Sequence, residues 1–309
     1  MLETIWELLA LTAQKVGDGT GFWIIFSSYM GMMFFERLIF AFARNQEWNE
    51  REARANMLNQ LFNEVVGALL TGALFMGIYV FVYENARLFD IGFGWWAWEL
   101  AFLLNDLAYY TDHRIAHRTG FFWALHIPHH SSKEMNLLVS PRGSIFDLRG
   151  VMSPCYFVVA LIGIHPLIFL AMKFFSNLWG IFNHTRLVYR MGFLERILAT
   201  PANHRVHHGI EPKYLDKNYG QVLIIWDRLF GSWQPEEEEP TYGLVKQMDS
   251  HRIWDIQTWG IRWLIGQMRS ADRWQDRLMY LVKPPGWSHD GRHETTETLV
   301  EGRQLVPAE

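Results

Sequence analysis

"DHRIAHRTGFFWALHIPHH", residues 112–130, and "NHRVHHGIEP", residues 203–212, are the two stretches of this sequence richest in histidine. Ten of the 13 histidines of the 309-residue chain lie between residues 113 and 208. A protein core seldom needs so many imidazoles, because each buried polar group requires a partner. The clustering therefore predicts that these histidines share one function.

The spacing of the histidines indicates how they could bind metal. The first stretch reads HxxxH and then HxxHH, and the second stretch repeats HxxHH. Residues three and four apart lie on one face of a helix, whereas neighbours diverge, so the adjacent pair in HxxHH can point toward two different ions. Together with the lone histidine in "FNHTR", residues 182–186, the motifs supply enough imidazoles for two metals. The candidate ligands are His113, His117, His126, His129, His130, His184, His204, His207 and His208.

The identity of the metal is less constrained by the residues. Imidazole binds zinc, copper, iron and nickel, so the ligand type does not choose among them. A structural zinc site closes with four ligands, and the HExxH motif of zinc peptidases is absent from the sequence. The single cysteine, Cys155, excludes an internal disulfide and a CxxC site. A histidine-rich two-metal site next to apolar segments favours iron that activates dioxygen, and the alternative is a non-redox zinc-binding membrane protein.

The composition predicts a membrane protein. Half of the residues are hydrophobic, and aromatic residues reach 16%, with 15 tryptophans. The formal net charge of −4 provides no basic stripe, which excludes a nucleic-acid partner. No cleavable signal is expected in the first 19 residues, which carry acidic side chains and no basic region ahead of an apolar stretch.

Several apolar segments are long enough to cross a bilayer, which takes about 20 residues of helix. They cover residues 21–43, 61–83, 95–112 and 145–183, and the last is split by "GIHP" at 163–166 into two halves of a hairpin. This arrangement brings the histidines before 131 and after 183 to one membrane face and places His165 at the far turn. Nearby basic residues predict that the histidine face is cytoplasmic. Arg37 and Glu64 either pair within the bilayer or extend separately to its surface.

These observations predict an all-α fold: a polytopic membrane helical bundle with a histidine-rich, di-metal helical cap on the cytosolic face. Residues 1–112 would form N-terminal transmembrane helices, and residues 113–240 the catalytic region with its hairpin. Residues 241–309 would form an amphipathic region and a polar tail. The stretch 251–268 has helical apolar spacing, so it either lies on the bilayer or covers the catalytic region.

The motif order on such a chain resembles the membrane fatty acid hydroxylase and sterol desaturase superfamily. "HRVHHGIEPKYLDKNYGQVLIIWDRLFGSW", residues 204–233, resembles its alkylglycerol monooxygenase branch. "YYTDHRIAH" (109–117), "LHIPHHSS" (125–132) and "PPGW" (284–287) resemble the same branch, and the likeness covers about residues 30 to 290. The chain differs from many members of the branch at Asn203, where they have histidine, and at Arg118, where they have an acidic residue.

The resemblance implies a membrane non-haem oxidoreductase that uses two irons and O2 to hydroxylate a lipid C–H bond, with an ether lipid as the substrate of this branch. It implies that the nine histidines are the iron ligands. It also implies an external reductant, either tetrahydropterin or a haem- or ferredoxin-type electron donor. Desaturation of a sterol or fatty acyl chain is the nearest alternative. The expected location is a bacterial inner membrane or the endoplasmic reticulum.

Supporting residues can also be proposed. Metal-bound imidazoles need their second nitrogen oriented by a hydrogen bond. Asp106 and Tyr110 each lie seven residues before a histidine of the HxxxH motif, so they share its helix face and are candidates for this role, although a packing contact is an alternative for Asp106. Weaker candidates flank the motifs: Asp112, Glu134, Asn136, Asp216 and Asn218. Four aromatic residues either line a lipid passage or pack ordinarily: Phe121, Phe122, Trp123 and Trp179. No metal role is expected for His165, His251, His289 and His293.

Overall fold

The computed structural model describes residues 20–42, 48–67, 72–147 and 149–304. In these residues the chain is helical, and β pairing is limited to isolated bridges between Leu198 and Leu223 and between Gly209 and Tyr242. The predicted all-helical class is therefore confirmed for this part of the chain. The helices are α1 (Thr20–Phe42), α2 (Glu50–Gly67), α3 (Ala73–Ala86), α4 (Trp95–Arg118), α5 (Gly120–His130), α6 (Arg149–Met152), α7 (Cys155–Ile162), α8 (Pro166–Asn183), α9 (Pro201–His207), α10 (Ile225–Leu229), α11 (Ile253–Ser270), α12 (Trp274–Val282) and α13 (Thr296–Gln304), with a 3-10 turn at Gly192–Arg196.

Helix α4 is the centre of an apolar bundle with α3, α7 and α8. Its buried face carries small residues, including Ala97, Ala101 and Ala108, which allow the neighbouring helices to approach closely. Across the bundle the rings of Tyr79 and Phe169 stack with their centroids 4.3 Å apart. The C-terminal turns of α4 and α8 leave this bundle at the same end, where the histidine motifs begin.

Helices α5, α11 and α12 pack together at that end and form a cap over α4. Helix α11 approaches α5 so closely at Gly260 that an added Cβ atom would lie 1.8 Å from the carbonyl oxygen of Ala124. Ile256 and Leu264 of α11 are buried in the apolar contacts that this approach creates. The segment predicted to be amphipathic thus covers the histidine-bearing region.

The first half of the hairpin predicted over residues 145–183 does not form a single helix of about 18 residues. That half contains the short helices α6 and α7, and α7 has only 8 residues. Pro154 stands at the N-cap of α7, because a proline inside the helix would remove a backbone hydrogen bond and clash with the preceding turn. The helix ends at Gly163, whose φ of +109° suits glycine and whose missing Cβ makes room for the carbonyl oxygen of Phe89. The second half forms the 18-residue helix α8.

The other predicted spans also differ from the helices that form. The segment 61–83 is divided between α2 and α3, and residues 68–71 lie outside the described residues. Helix α4 continues through 112 to Arg118. Within the described ranges, no helix is both long enough and apolar enough to qualify as a bilayer-crossing segment.

The alternatives for Arg37 are partly resolved. Its guanidinium forms an ion pair with Glu50, at the start of α2, and both side chains are about half exposed. The side chain of Glu64 lies outside the described residues. Arg37 therefore finds its partner across the connection between α1 and α2.

Replacing Gly260 with alanine tests the α5–α11 contact. We expect Gly260→Ala to lower the free energy of unfolding by about 1–3 kcal/mol, because the methyl group has no space beside the Ala124 carbonyl. Urea unfolding followed by circular dichroism measures the change. Gly266→Ala is the matched control on the same helix, since nothing lies within 4 Å of its added Cβ. The control is expected to gain roughly 0.5–1 kcal/mol, and an equal gain in both variants would contradict the contact.

Candidate metal centre

The structure brings all nine predicted histidines together in two adjacent groups. Within each group, one ring nitrogen from every histidine lies within 4.8 Å of those of the others. The first group contains five residues and the second contains four. They are His113, His117, His126, His130 and His207 in the first group, and His129, His184, His204 and His208 in the second.

The two HxxHH motifs contribute to the groups in opposite ways. On α5, the first and last histidines of the motif enter the five-histidine group, and the middle one, His129, enters the four-histidine group. On α9 the middle histidine, His207, enters the five-histidine group, and the outer two enter the other. The prediction that adjacent histidines point to different sites matches this geometry. Each motif therefore links both groups.

The Nε2 atoms converge inside each group. In the five-histidine group, the Nε2 atom of His126 lies 2.9 Å from that of His113 and 3.2 Å from that of His130. In the other group, the Nε2 atom of His204 lies 2.9 Å from that of His184 and 3.2 Å from that of His208. These atoms face small shared volumes at the helix ends.

Backbone carbonyls fix the other nitrogen of several rings. The Nδ1 atom of His113 donates to the carbonyl of Tyr219 at 2.8 Å, and that of His207 donates to the carbonyl of Lys217 at 2.9 Å. The Nδ1 atom of His184 donates to the carbonyl of Gly180 at 2.7 Å. Because a carbonyl only accepts hydrogen bonds, Nδ1 must carry the proton in these rings, and Nε2 presents its lone pair to the group.

Asp216 supplies the carboxylate that contacts a cluster histidine. Its Oδ1 atom lies 3.5 Å from the Nδ1 atom of His117. Burial opposes its ionisation, but hydrogen bonds with His117 and Thr296 and the nearby charge of Arg118 together hold the pKa of Asp216 below its usual value. Asp216 and Asn218 both have left-handed backbone conformations, with φ of 57° and 55°. The loop around them thus supports three histidines of the five-histidine group.

Burial favours the neutral form of five of the cluster imidazoles, His208 among them. It lowers the pKa of His184 to about 4 and the pKa values of His130, His204 and His207 well below the usual range. Converging lone pairs of neutral rings repel one another unless a cation lies between them. The Nε2 atom of His207 is buried and has no hydrogen-bond partner among the described residues. This donor set fits two divalent cations that accept imidazole, iron and zinc among them.

Asp106 does not play the predicted part. Its carboxylate accepts hydrogen bonds from the backbone nitrogens of Val222 and Leu223, both at 3.1 Å, and from the Nε1 atom of Trp226 at 2.9 Å. Burial raises the pKa of Asp106 to about 6. The helix spacing placed this residue on the correct face, but seven residues amount to two turns, which is too far along the axis to reach His113. Asp106 instead joins α4 to the segment before α10.

Tyr110 is likewise linked to the imidazoles through other residues. Its hydroxyl lies 3.0 Å from the Oγ atom of Ser232, which donates to Asp227 at 2.7 Å. Asp227 in turn accepts from the backbone nitrogens of Tyr219 and Gly220, each at 2.8 Å. This chain of contacts holds the Tyr219 carbonyl against His113. Sequence reasoning missed Asp227, although an acidic residue within "IIWDRLF", residues 224–230, was an available signal.

The remaining candidates divide into one that contacts the histidines and others that have different contacts. Trp123 packs against the histidines, with its ring centroid 4.9 Å from that of His117. Trp179 instead donates from Nε1 to the carbonyl of Ala199 at 2.7 Å. His165 lies outside both groups and caps α8 by accepting from the Leu167 nitrogen at 3.2 Å. Asn203 caps α9 together with Thr200.

The family model for fatty acid hydroxylases matches residues 98–232, the part of the chain that carries all nine histidines. This chain belongs to the fatty acid hydroxylase family. It is 34% identical over 221 residues to an alkylglycerol monooxygenase of Danio rerio, which covers 71% of this chain and 49% of that relative. It is 32% identical over 259 residues to one of Xenopus tropicalis, covering 82% of this chain and 58% of that relative.

A more distant relative is an ornithine lipid hydroxylase of Rhizobium tropici, which is 26% identical over 215 residues and covers 64% of this chain and 62% of the relative. The chain spans about half the length of the alkylglycerol monooxygenases that it matches. No solved structure is significantly similar to this member of the fatty acid hydroxylase family.

Replacing Asp216 tests its contact with His117. We expect Asp216→Asn to weaken metal binding by about 10–100-fold, the usual cost of losing the group that orients a metal-binding imidazole. Asparagine tolerates the left-handed backbone of this position, so the loop should keep its shape. Competition with a chelator measures the metal affinity. Asp272→Asn, at an exposed position, is the control, and equal affinities in the two variants would remove Asp216 from this role.

Proposed function

We propose that this protein is a di-iron, O2-dependent membrane oxidase that hydroxylates a lipid C–H bond, with an alkylglycerol ether lipid as the favoured substrate. The observation that carries the proposal is the pair of buried histidine groups in the segment that matches the fatty acid hydroxylase family. The names of the relatives, alkylglycerol monooxygenase and ornithine lipid hydroxylase, support a lipid substrate.

The nine histidines are proposed to hold two iron ions, one in each group. Bound iron would supply the activation of dioxygen. The groups are adjacent, since the rings of His130 and His208, one from each group, stack with centroids 4.4 Å apart. Nine nitrogen ligands exceed what one structural zinc needs. Two neighbouring ions therefore account for this ligand set better than a single zinc.

The chain's own contribution is to orient the ligands and to exclude water. Eight of the nine histidines are buried, and the ninth, His129, is half-buried. Trp123 and Tyr109 border the five-histidine group, and the ring of Tyr109 lies 5.2 Å from that of His113. An alkyl chain reaching this apolar border would meet the site without passing through bulk water.

The proposed reaction consumes one O2 for each hydroxylation. One oxygen atom enters the C–H bond as a hydroxyl group, and the other leaves as water after accepting two electrons and two protons from an external reductant. Tetrahydropterin and a haem- or ferredoxin-type donor remain the candidates for that reductant. If the carbon adjoins an ether oxygen, the hydroxylated product is a hemiacetal that breaks down to an aldehyde and a glycerol.

A membrane location is part of the proposal. Large apolar side chains are exposed on α1 and α3, among them Phe34, Phe35, Phe42 and Phe81, and contiguous exposed apolar surface favours contact with lipid. A lipid substrate would be reached there. Orientation of the histidine groups toward the cytoplasm stays a prediction from the basic residues.

Metal analysis tests the ligand assignment. We expect the purified protein to bind two irons per chain, and His207→Ala and His204→Ala each to lower the iron content, because each removes a ligand from a different group. His251→Ala, outside both groups, is the matched control and should keep both irons. Zinc without iron, together with no oxygen uptake, would favour the non-redox alternative.

A labelling experiment tests the reaction. Membranes containing the protein are incubated with isotopic dioxygen and a panel of alkylglycerols, fatty acids and sterols, and products are identified by mass spectrometry. We expect one labelled oxygen in the product of an alkylglycerol, and at least a hundredfold less product with His207→Ala, because removing a group that the chemistry needs costs about that much or more. A new double bond without label would identify a desaturase instead.

A further inference from the structure

A cavity lies behind the helix that carries His204 and His207. Its volume is about 480 Å³, and it opens between the segment around the 3-10 turn Gly192–Arg196 and the residues next to α10. Ala202 and Asn203, in the first turn of α9, form part of its wall. The cavity is separate from both histidine groups, because no cluster histidine lines it.

Three arginines line this cavity without an ion-pair partner among the described residues: Arg190, Arg196 and Arg228. Arg190 donates to the carbonyl of Glu236 at 2.9 Å, and Arg228 donates to the carbonyl of Glu195 at 3.3 Å, so both contact neutral acceptors. The guanidinium of Arg228 also lies 4.0 Å from the ring centroid of Trp233, which holds it at the wall of the cavity.

The two carboxylates in the wall do not balance these charges. Glu236 is buried and already accepts two hydrogen bonds from Arg205, at 2.6 and 2.7 Å. Glu195 accepts from the backbone nitrogen of Met191 at 2.7 Å and is the remaining negative charge. Three guanidiniums thus face one uncompensated carboxylate, so the cavity suits an anion. Planar guanidinium groups match phosphate oxygens especially well.

The residues next in sequence to the cavity-lining ones include exposed apolar side chains, which form the apolar rim of the proposed site. Phe193 is 67% exposed and Leu229 is 70% exposed, and Tyr189 and Phe230 next to them are also exposed. Basic side chains interleaved with exposed aromatic and aliphatic ones are typical of a surface that enters the headgroup region of a bilayer. An acidic protein partner would match the arginines but would leave this apolar rim unexplained.

We propose that this cavity binds the phosphate group of a membrane phospholipid, with Tyr189, Phe193, Leu229 and Phe230 inserted among the neighbouring acyl chains. The phosphate would lie against Arg196 and Arg228. Because the cavity wall includes the first turn of α9, the lipid would be held directly behind a helix that carries metal-binding histidines. The proposal goes beyond the oxidation reaction, since it requires neither iron nor turnover.

Calorimetric titration of the full chain in neutral detergent tests the proposal. The probes are dihexanoyl phosphatidic acid, dihexanoylglycerol as the neutral counterpart with the same chains, and inorganic phosphate. We expect the phosphatidic acid to bind tightest, because only it offers both the phosphate and the acyl chains. Arg196→Gln and Arg228→Gln should each weaken its binding about fivefold, the effect of one basic residue at an anionic surface. Arg269→Gln, at an exposed position on α11, is the control and should leave binding unchanged.

Equal affinity for the two lipids, or binding that ignores both arginine variants, would overturn the proposal. Phosphate that binds as tightly as the phosphatidic acid would identify a site for the free anion instead. A third outcome would identify a protein-docking face instead. In it, Arg196→Gln still binds lipid but is no longer reduced in a salt-dependent way by an acidic electron-transfer protein. Iron content is measured in every variant, so that failure of the metal assignment is distinguished from failure of this site.

Discussion

Nine imidazoles whose ring nitrogens converge in two adjacent groups are the constraint on which this structure depends. Burial lowers the pKa of five of them, because a charged imidazole would lose its hydration. The Nδ1 atoms of His113, His184 and His207 donate to backbone carbonyls, so the Nε2 atoms of these rings present lone pairs to the groups. Bound cations would accept these lone pairs. The remaining architecture has to hold the rings in place, and metal binding would offset the cost.

The loop from Asp216 to Gly220 provides much of that support for the five-histidine group. It presents one carboxylate and two carbonyls to three different rings. Asp227 fixes the loop by accepting hydrogen bonds from the backbone nitrogens of Tyr219 and Gly220. Asp216 and Asn218 adopt left-handed conformations, which Asp and Asn tolerate better than other non-glycine residues. Contacts fix this backbone: Asp216 contacts His117 and Thr296, and Asn218 donates to the carbonyls of Asn203 and Gln234.

The side-chain part of the site could be predicted from the sequence, whereas its backbone part could not. The spacings HxxxH and HxxHH determine which rings share a helix face, and the structure groups the same nine residues. Lys217 and Gly180, by contrast, act through carbonyl oxygens, and every residue has one. Asp106 has a sequence position that suits a supporting role, but its contacts depend on how the segment 222–226 folds back onto α4. The apolar composition of residues 145–162 did not reveal that Pro154 divides this half of the predicted hairpin into two short helices.

The contacts that support the five-histidine group also extend beyond the region that the family model matches. That region ends at residue 232, yet Thr296 at the start of α13 donates to Asp216 at 2.7 Å, and Arg118 bridges Asp216 and Glu297. The carboxylate beside His117 is therefore shared between a ring of the five-histidine group and the C-terminal helix. Because Asp216 is buried, these donors offset the cost of its charge, and without them the carboxylate would bind a proton more readily. Arg118 thus belongs to the same support as the loop.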